Sequence, residues 1–377
     1  VKKQPTEPSG RLIYLEHQSR ILRDNPLGDP AERSFPVYLP HAYNAPRTPN
    51  KRFAVLYDLV GYTGSGHSHV SWRNFDESVP EQLDRLIAEG KMPPCIVVFP
   101  DCFTSLGGNQ YVNSSAIGRY ADYLTRELIP FIDAELRTKA DRNHRGCFGK
   151  SSGGYGAMVH GMQYSEFWGG IGNHSGDAYF EFVYGSEWPA VLTALQPFAP
   201  QHRGKKTQSA STKSNASAKT KERARQLARG FDDGRVAAFL DACWSNPKPS
   251  NTDVMTLMML CMAATYDPDP KAPLGFRLPY DLSDGSLLPK RWAKWLRHDP
   301  VQMVQDPKLR KNLKSLKAIF IDCGQRDQYH IHFGTRQLSN TLQRYNIKHR
   351  YEEFDGTHSG IDYRMDVSLP YLARHLS

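Results

Sequence analysis

The segment with the clearest chemical potential is Gly149-Lys150-Ser151-Ser152-Gly153-Gly154, which fits G-x-S-x-G with Ser151 at its centre. A serine hydroxyl is a weak nucleophile until an adjacent base takes its proton, and that base needs a third group to orient it. Glycines on both sides of the serine imply a sharp strand-to-helix turn. Such a turn exposes the hydroxyl and aims the free amides of a helix N-terminus at the reacting oxygen. A phosphate loop is the rival reading of Gly149-Lys150-Ser151. It fails because G-x-x-x-x-G-K-[ST] requires glycine at position 144, where His144 stands.

Candidate partners follow downstream. The apolar run Ala318–Gly324 reads as a strand and leads into Gln325-Arg326-Asp327, so Asp327 lies in a loop from which a carboxylate can reach across. Asp322 is the competing acid, but it sits within the strand, where the pleat dictates its direction. After the next strand, Asp355-Gly356-Thr357-His358-Ser359-Gly360 presents His358 just before the last helical pattern. The order Ser, Asp, His is that of α/β-hydrolases and differs from the orders of chymotrypsin and subtilisin. In this reading Ser151 attacks an acyl carbon, His358 is the general base and acid, and Asp327 fixes the imidazole tautomer. An oxyanion hole is expected from the amides of Ser152 and Tyr62, the latter in Leu59-Val60-Gly61-Tyr62-Thr63-Gly64; the alternative is that this loop is only a turn.

Other residues near the expected site are candidates for binding substrate: Gly61, Trp72, Tyr111, Tyr155, and the pair His174 and Asp177 at the end of a strand, where packing or strand termination is the alternative. His67 and His69 alternate in Gly66-His67-Ser68-His69, but no acidic or Cys partner at ligand spacing supports a metal, and none is expected. His330 and His332 are expected to cap a helix or face solvent. No cofactor is implied by this chemistry.

The elements that must position these groups alternate short apolar runs with helical patterns, the signature of a mostly parallel sheet with helices on both faces. Strands are expected at Arg11–Leu22, Arg33–Leu39, Phe53–Val60, Cys95–Pro100, Arg145–Gly149, Gly169–His174, Ala318–Gly324 and Arg350–Phe354, eight in all. The first two follow one another without a helix, which predicts an antiparallel edge. Helices are expected at Pro80–Glu89, Ile117–Leu136, Gly153–Tyr164, Gly334–Tyr345 and Ile361–Leu376. Over a hundred residues separate the sixth and seventh strands, with helical patterning at Arg235–Trp244, Asp253–Ala264 and Pro289–Leu296. A connection of that length is usually functional. The expected organisation is therefore a hydrolase core over 1–178 and 306–377, with a helical cap inserted at 179–305.

Composition agrees with a folded enzyme. The 377 residues are 39% hydrophobic and 23% charged, which excludes wholesale disorder. The net charge of +9 is concentrated: between Arg203 and Arg229 nine basic residues face Glu222 alone. Within that tract, 203–229, the run QSASTKSNASAKTK is rich in Ser, Thr, Ala and Lys without large apolar groups, and the tract reads as a flexible insertion in the cap rather than a specific nucleic-acid site. The densest apolar run, Val254–Ala264, is too short to span a membrane. Six cysteines without a CxxC pair favour buried thiols and a reducing, cytoplasmic compartment, although the sequence does not exclude a removed signal peptide.

The elbow Gly149–Ala157, Asp327 and Gly356-Thr357-His358 together resemble the esterase D-like putative esterase family of α/β-hydrolases, which includes S-formylglutathione hydrolases, feruloyl and enterochelin esterases. The resemblance covers roughly residues 33–180 and 316–377, and takes in Asn109-Gln110-Tyr111-Val112-Asn113 and Asn173-His174-Ser175-Gly176-Asp177. It implies a bacterial serine esterase acting on a small-molecule ester. The chain departs from the family at Val60-Gly61, where many members carry His-Gly, and in the basic insertion. The leading expectation is hydrolysis of a small or medium acyl ester through an acyl-enzyme. Acyl transfer with the same triad, and a non-catalytic binding protein on this fold, are the alternatives; oligomeric state stays open.

Overall fold

Eight runs of apolar and β-branched residues pair into one sheet in the order β1-β2-β4-β3-β7-β8-β9-β10. The computed structural model describes residues 9–46, 49–200 and 229–377. The strands of this sheet are β1 (Arg11–Gln18), β2 (Glu32–Leu39), β3 (Val55–Leu59), β4 (Ile96–Val98), β7 (Arg145–Lys150), β8 (Gly170–His174), β9 (Ala318–Gly324) and β10 (Arg350–Phe354). A separate two-stranded ribbon joins β5 (Asn113–Ser114) to β6 (Gly118–Arg119). The expected antiparallel edge is present: β1 pairs with β2, and β2 with β4, antiparallel, whereas β4, β3, β7, β8, β9 and β10 run parallel. This is the α/β-hydrolase fold.

Alternation along the central strands builds two cores. From β3 and β4, Val55, Tyr57, Leu59, Ile96 and Val98 join one cluster, while Leu56, Val97 and Phe99 join the other. Successive side chains of a strand point to opposite faces, so a run buried on both sides carries apolar residues at every position. The second face is covered by α1 (Val79–Ala88) and by the C-terminal helix, whose Leu369, Leu372, Ala373 and Leu376 pack there. The first face is covered by α2 (Ser152–Gln163) and α4 (Ile331–Arg344), and α3 (Asn251–Tyr266) joins the same core from the long connection between β8 and β9; the C-terminal helix is α5 (Met365–Leu376).

Several element ends shift by a few residues, and three larger differences from the sequence expectation stand out. β1 stops at Gln18 rather than Leu22, because Ser19 and the amides of Arg20 and Ile21 turn onto the Glu127 carboxylate. The helix expected over Ile117–Leu136 starts at Tyr120 and carries π geometry over Tyr123–Leu128. Pro130 has no amide to offer the carbonyl one turn earlier, and the widened turns lie immediately before it. Between β8 and β9 the structure adds short helices at Phe180–Val183, Trp188–Leu195, Pro300–Met303 and Pro307–Lys314 to the three expected. The basic tract 203–229 lies outside the described residues except for Arg229, which pairs with Asp281 at 2.8 Å. No helix among the described residues is long and apolar enough to cross a membrane. All six cysteines are buried and unpaired.

Candidate active site

The turn between β7 and α2 puts Ser151 at φ 57° and ψ −124°, in a region that L-residues other than glycine seldom occupy. Its backbone is locked on both sides: the Ser151 amide donates to the His174 carbonyl at 3.0 Å, and its carbonyl accepts from the Tyr155 amide at 2.8 Å. The motif's last glycine is a matter of space. A Cβ at Gly153 would lie 1.6 Å from the Leu59 carbonyl oxygen, so only glycine lets α2 pass this close to β3.

Asp327 follows β9 and His358 follows β10, and the two loops meet: Asp327 Oδ2 stands 2.8 Å from His358 Nδ1. The other carboxylate oxygen of Asp327 accepts from the Tyr329 amide at 2.9 Å, and the Gln328 side chain accepts from the His358 amide at 3.0 Å. The Tyr329 ring lies edge-on to the imidazole. Asp322, the competing acid, is fully buried on β9 and pairs with His174 at 2.7 Å and Arg364 at 2.9 Å.

Ser151 and His358 line one cavity of about 450 Å³, within the usual size range of a small-molecule site. Gly61 and Tyr62 line it as well. Gly61 approaches the nucleophile closely, since a Cβ there would be 3.5 Å from Ser151 Cβ. The Tyr62 hydroxyl donates to the Leu106 carbonyl at 2.7 Å, which holds this loop in place. The Ser152 amide belongs to the first turn of α2, where helical amides have no intrahelical acceptor.

Of the other residues singled out in the sequence, Asp177 lines the cavity, held by Gln110 at 3.0 Å and the Tyr184 hydroxyl at 2.7 Å. Burial raises its pKa, and these hydrogen bonds pull in the opposite direction. Four candidates do not line it. His174 is buried between Asp322 and Ser368, so its ring is a core group rather than a substrate contact. Tyr111 is buried with its hydroxyl donating to the Val60 carbonyl at 2.7 Å, beneath the Gly61-Tyr62 loop. Tyr155 is buried and donates to the His298 carbonyl at 3.0 Å, tying α2 to the long insertion. Trp72 is exposed outside the cavity.

Several wall residues carried no functional signal in the sequence. Val183, Tyr184, Val254, Met255 and Met258 come from the insertion, and Tyr329 from the loop beside Asp327. A polar corner combines Lys150, His69, Arg73 and Asp362. Arg73 pairs with Asp362 at 2.6 Å, and His69 Nδ1 with the buried Asp58 at 2.6 Å. Burial alone would depress the His69 pKa, but the charge and hydrogen bond of Asp58 outweigh it and the net shift is upward. His67 turns elsewhere, with its Nε2 3.0 Å from the Ser34 carbonyl. His330 caps the start of α4 in a left-handed conformation.

Residues 30–368 match the family described as "Putative esterase". The chain belongs to that esterase family. Two curated relatives have family-consistent names: the esterase Rv1288 of Mycobacterium tuberculosis, 30% identical over 197 residues, and an endo-1,4-beta-xylanase/feruloyl esterase of Xylanibacter ruminicola, 32% identical over 150 residues. The first match takes in 50% of this esterase-family chain and 38% of the relative, the second 38% and 19%, so the chain spans well under half the length of either. Among solved structures, a ferulic acid esterase aligns over 98% of this chain and 100% of its own, with TM-score 0.55 and 17% identity. An S-formylglutathione hydrolase from Agrobacterium tumefaciens aligns over 100% and 99%, with TM-score 0.53 and 18% identity. These likenesses establish the fold of this esterase-family chain.

Proposed function

We propose that the chain is a serine-dependent carboxylic ester hydrolase acting on a small or medium acyl ester. The observation that carries the reading is the 2.8 Å pair of Asp327 and His358 beside a cavity that the strained Ser151 also lines. In the first half-reaction Ser151 Oγ attacks the carbonyl carbon while His358 Nε2 takes the hydroxyl proton. The resulting oxyanion accepts from the amides of Tyr62 and Ser152. As the intermediate collapses, His358 returns the proton to the departing alcohol, which leaves the acyl group on Ser151. A water then gives a proton to His358 and attacks the acyl carbon, which releases the acid and restores the hydroxyl. Asp327 accepts from Nδ1–H throughout and steadies the imidazolium. No step requires a metal or cofactor.

We assign residues 179–305 as a cap that supplies the acyl or alcohol wall, on the ground that Val183, Tyr184, Val254, Met255 and Met258 face the cavity. The names of the relatives support including a hydroxycinnamoyl ester among the test substrates. The deciding experiment is a chain-length series of p-nitrophenyl esters, with fluorophosphonate labelling, on wild type and Ser151→Ala. Turnover and labelling are expected to disappear together, with turnover falling roughly 10⁴-fold or more. A wild-type protein that neither labels nor hydrolyses any ester overturns the proposal.

A further inference from the structure

Lys150 immediately precedes the nucleophile, and its side chain is half-buried in the cavity wall. Among the described residues it makes no side-chain hydrogen bond or ion pair. The acids around it are engaged elsewhere: Asp362 holds Arg73 at 2.6 Å, Asp58 holds His69 at 2.6 Å, and Asp327 holds His358 at 2.8 Å. Asp177, the remaining carboxylate of the wall, is bound by Gln110 and Tyr184 next to Val183, on the side built by the insertion. A partly desolvated ammonium with no fixed counter-ion is costly, and the cost is recovered when an anion binds it. Burial does lower the Lys150 pKa, the direction expected of a cation awaiting a partner.

The cavity wall therefore combines two kinds of group: apolar Val183, Val254, Met255 and Met258, and a polar corner of Lys150, Arg73, His69 and Asp362, in which Asp362 is held by Arg73 and Lys150 is left without a fixed partner. We infer that Lys150, flanked by Arg73 and His69, forms a subsite for an anionic group, a carboxylate or phosphate, carried by the ester that Ser151 attacks. The inference rests on the esterase reading above and adds the class of substrate: an amphiphilic ester with an apolar part against the methionine wall and a negative charge a short distance from the scissile carbonyl. The charge can belong to the acyl or to the alcohol half, and matched esters separate the two.

The test compares kcat/KM for two isosteric pairs. Aryl hemiglutarate against the aryl ester of its terminal monoamide, glutaramate, places the charge on the acyl side; 4-carboxyphenyl butanoate against 4-carbamoylphenyl butanoate places it on the alcohol side. In one pair the wild type should prefer the anionic ester by roughly 10- to 100-fold, the range of a charge-assisted hydrogen bond, and the preference should fall as salt is added. Lys150→Met should bring that ratio to about one, mainly through KM, and Lys150→Arg should restore most of it. The wild-type ratio and its salt dependence need no variant, so the test survives a Lys150→Met chain that does not fold. Equal turnover of both members of each pair by wild type overturns the subsite and leaves the esterase standing. An equal loss on charged and neutral esters in Lys150→Met also overturns it, since that marks general support of the nucleophile. Failure of wild type on all four esters and on fluorophosphonate overturns both readings.

Discussion

His174 Nδ1 lies 2.7 Å from Asp322 Oδ1, while its Nε2 lies 2.8 Å from Ser368 Oγ. This is a serine–histidine–aspartate alignment with all three residues buried. The other oxygen of Asp322 is bound by Arg364 at 2.9 Å, which in turn reaches Glu352. The alignment binds β8, β9 and α5 together. His358 and Asp327 make the same contact at 2.8 Å beside a cavity. Access to a reactant, not the pairing distance, separates the two.

That contrast predicts opposite phenotypes for two similar substitutions. Asp327→Asn should leave a folded protein whose kcat falls roughly 10⁴-fold, because the imidazole loses its tautomer control. Asp322→Asn leaves Arg364 and His174 without their buried partner and should cost about 3–5 kcal/mol of stability, with kcat close to wild type in whatever folds. Thermal melts and ester kinetics on the two variants check this, and a reversal of the two effects would move the triad acid to Asp322.

Gly153→Ala tests the elbow itself. The added methyl collides with the Leu59 carbonyl, so α2 must shift away from β3, and the loss should reach about 3 kcal/mol or more. Gly28→Ala is the control: its φ is positive, unlike that of Gly153, but nothing lies within 4 Å of a Cβ there, so only the milder backbone cost of about 1 kcal/mol is expected. Chemical denaturation of the two variants reads the difference.

The His69 shift fixes a sign. Its folded pKa is raised, with Asp58 and the more distant Asp362 outweighing burial and Arg73. The stabilisation is therefore fully present below the unfolded imidazole value of about 6.5 and is lost as pH rises through the folded one. The Tm of wild type minus that of His69→Gln should be largest below about pH 6.5 and shrink as pH rises, then level off. A difference that grows with pH would contradict the pairing.

Met258 in the wall predicts control of acyl length. Met258→Trp fills part of the cavity and should shift the preferred p-nitrophenyl ester to a shorter chain, with each methylene that no longer fits losing roughly 10-fold or more in kcat/KM. An unchanged length profile would place the acyl group elsewhere, and Met255→Trp would then be the variant to measure.

The succession of strands and helices along the chain was legible in the sequence, because two-sided burial writes apolar runs such as Val55–Leu59 and Ala318–Gly324, each broken by a single aspartate, and the elbow was marked because only glycine fits where Gly153 meets Leu59. It also favoured Asp327 over Asp322 from strand position alone, and the structure brings Asp327, not Asp322, to His358. What it left undecided depends on contacts between residues far apart in the chain. His174 resembled a pocket residue at a strand end; its ring instead meets Asp322 and Ser368, 148 and 194 residues away. Tyr111 and Tyr155 were candidates for a binding surface with core packing as the default, and the default holds: both are buried, with their hydroxyls spent on Val60 and His298. His69 drew notice only as half of an alternating histidine pair and Lys150 only as part of the nucleophile motif, while Arg73 and Met258 carried no local signal, since an arginine in a loop or a methionine in a helix has the same pattern whether it faces a cavity or not. Only the tertiary structure, by closing the insertion against the sheet edge and assigning a partner to each nearby acid, decided which of these side chains remain open to a ligand.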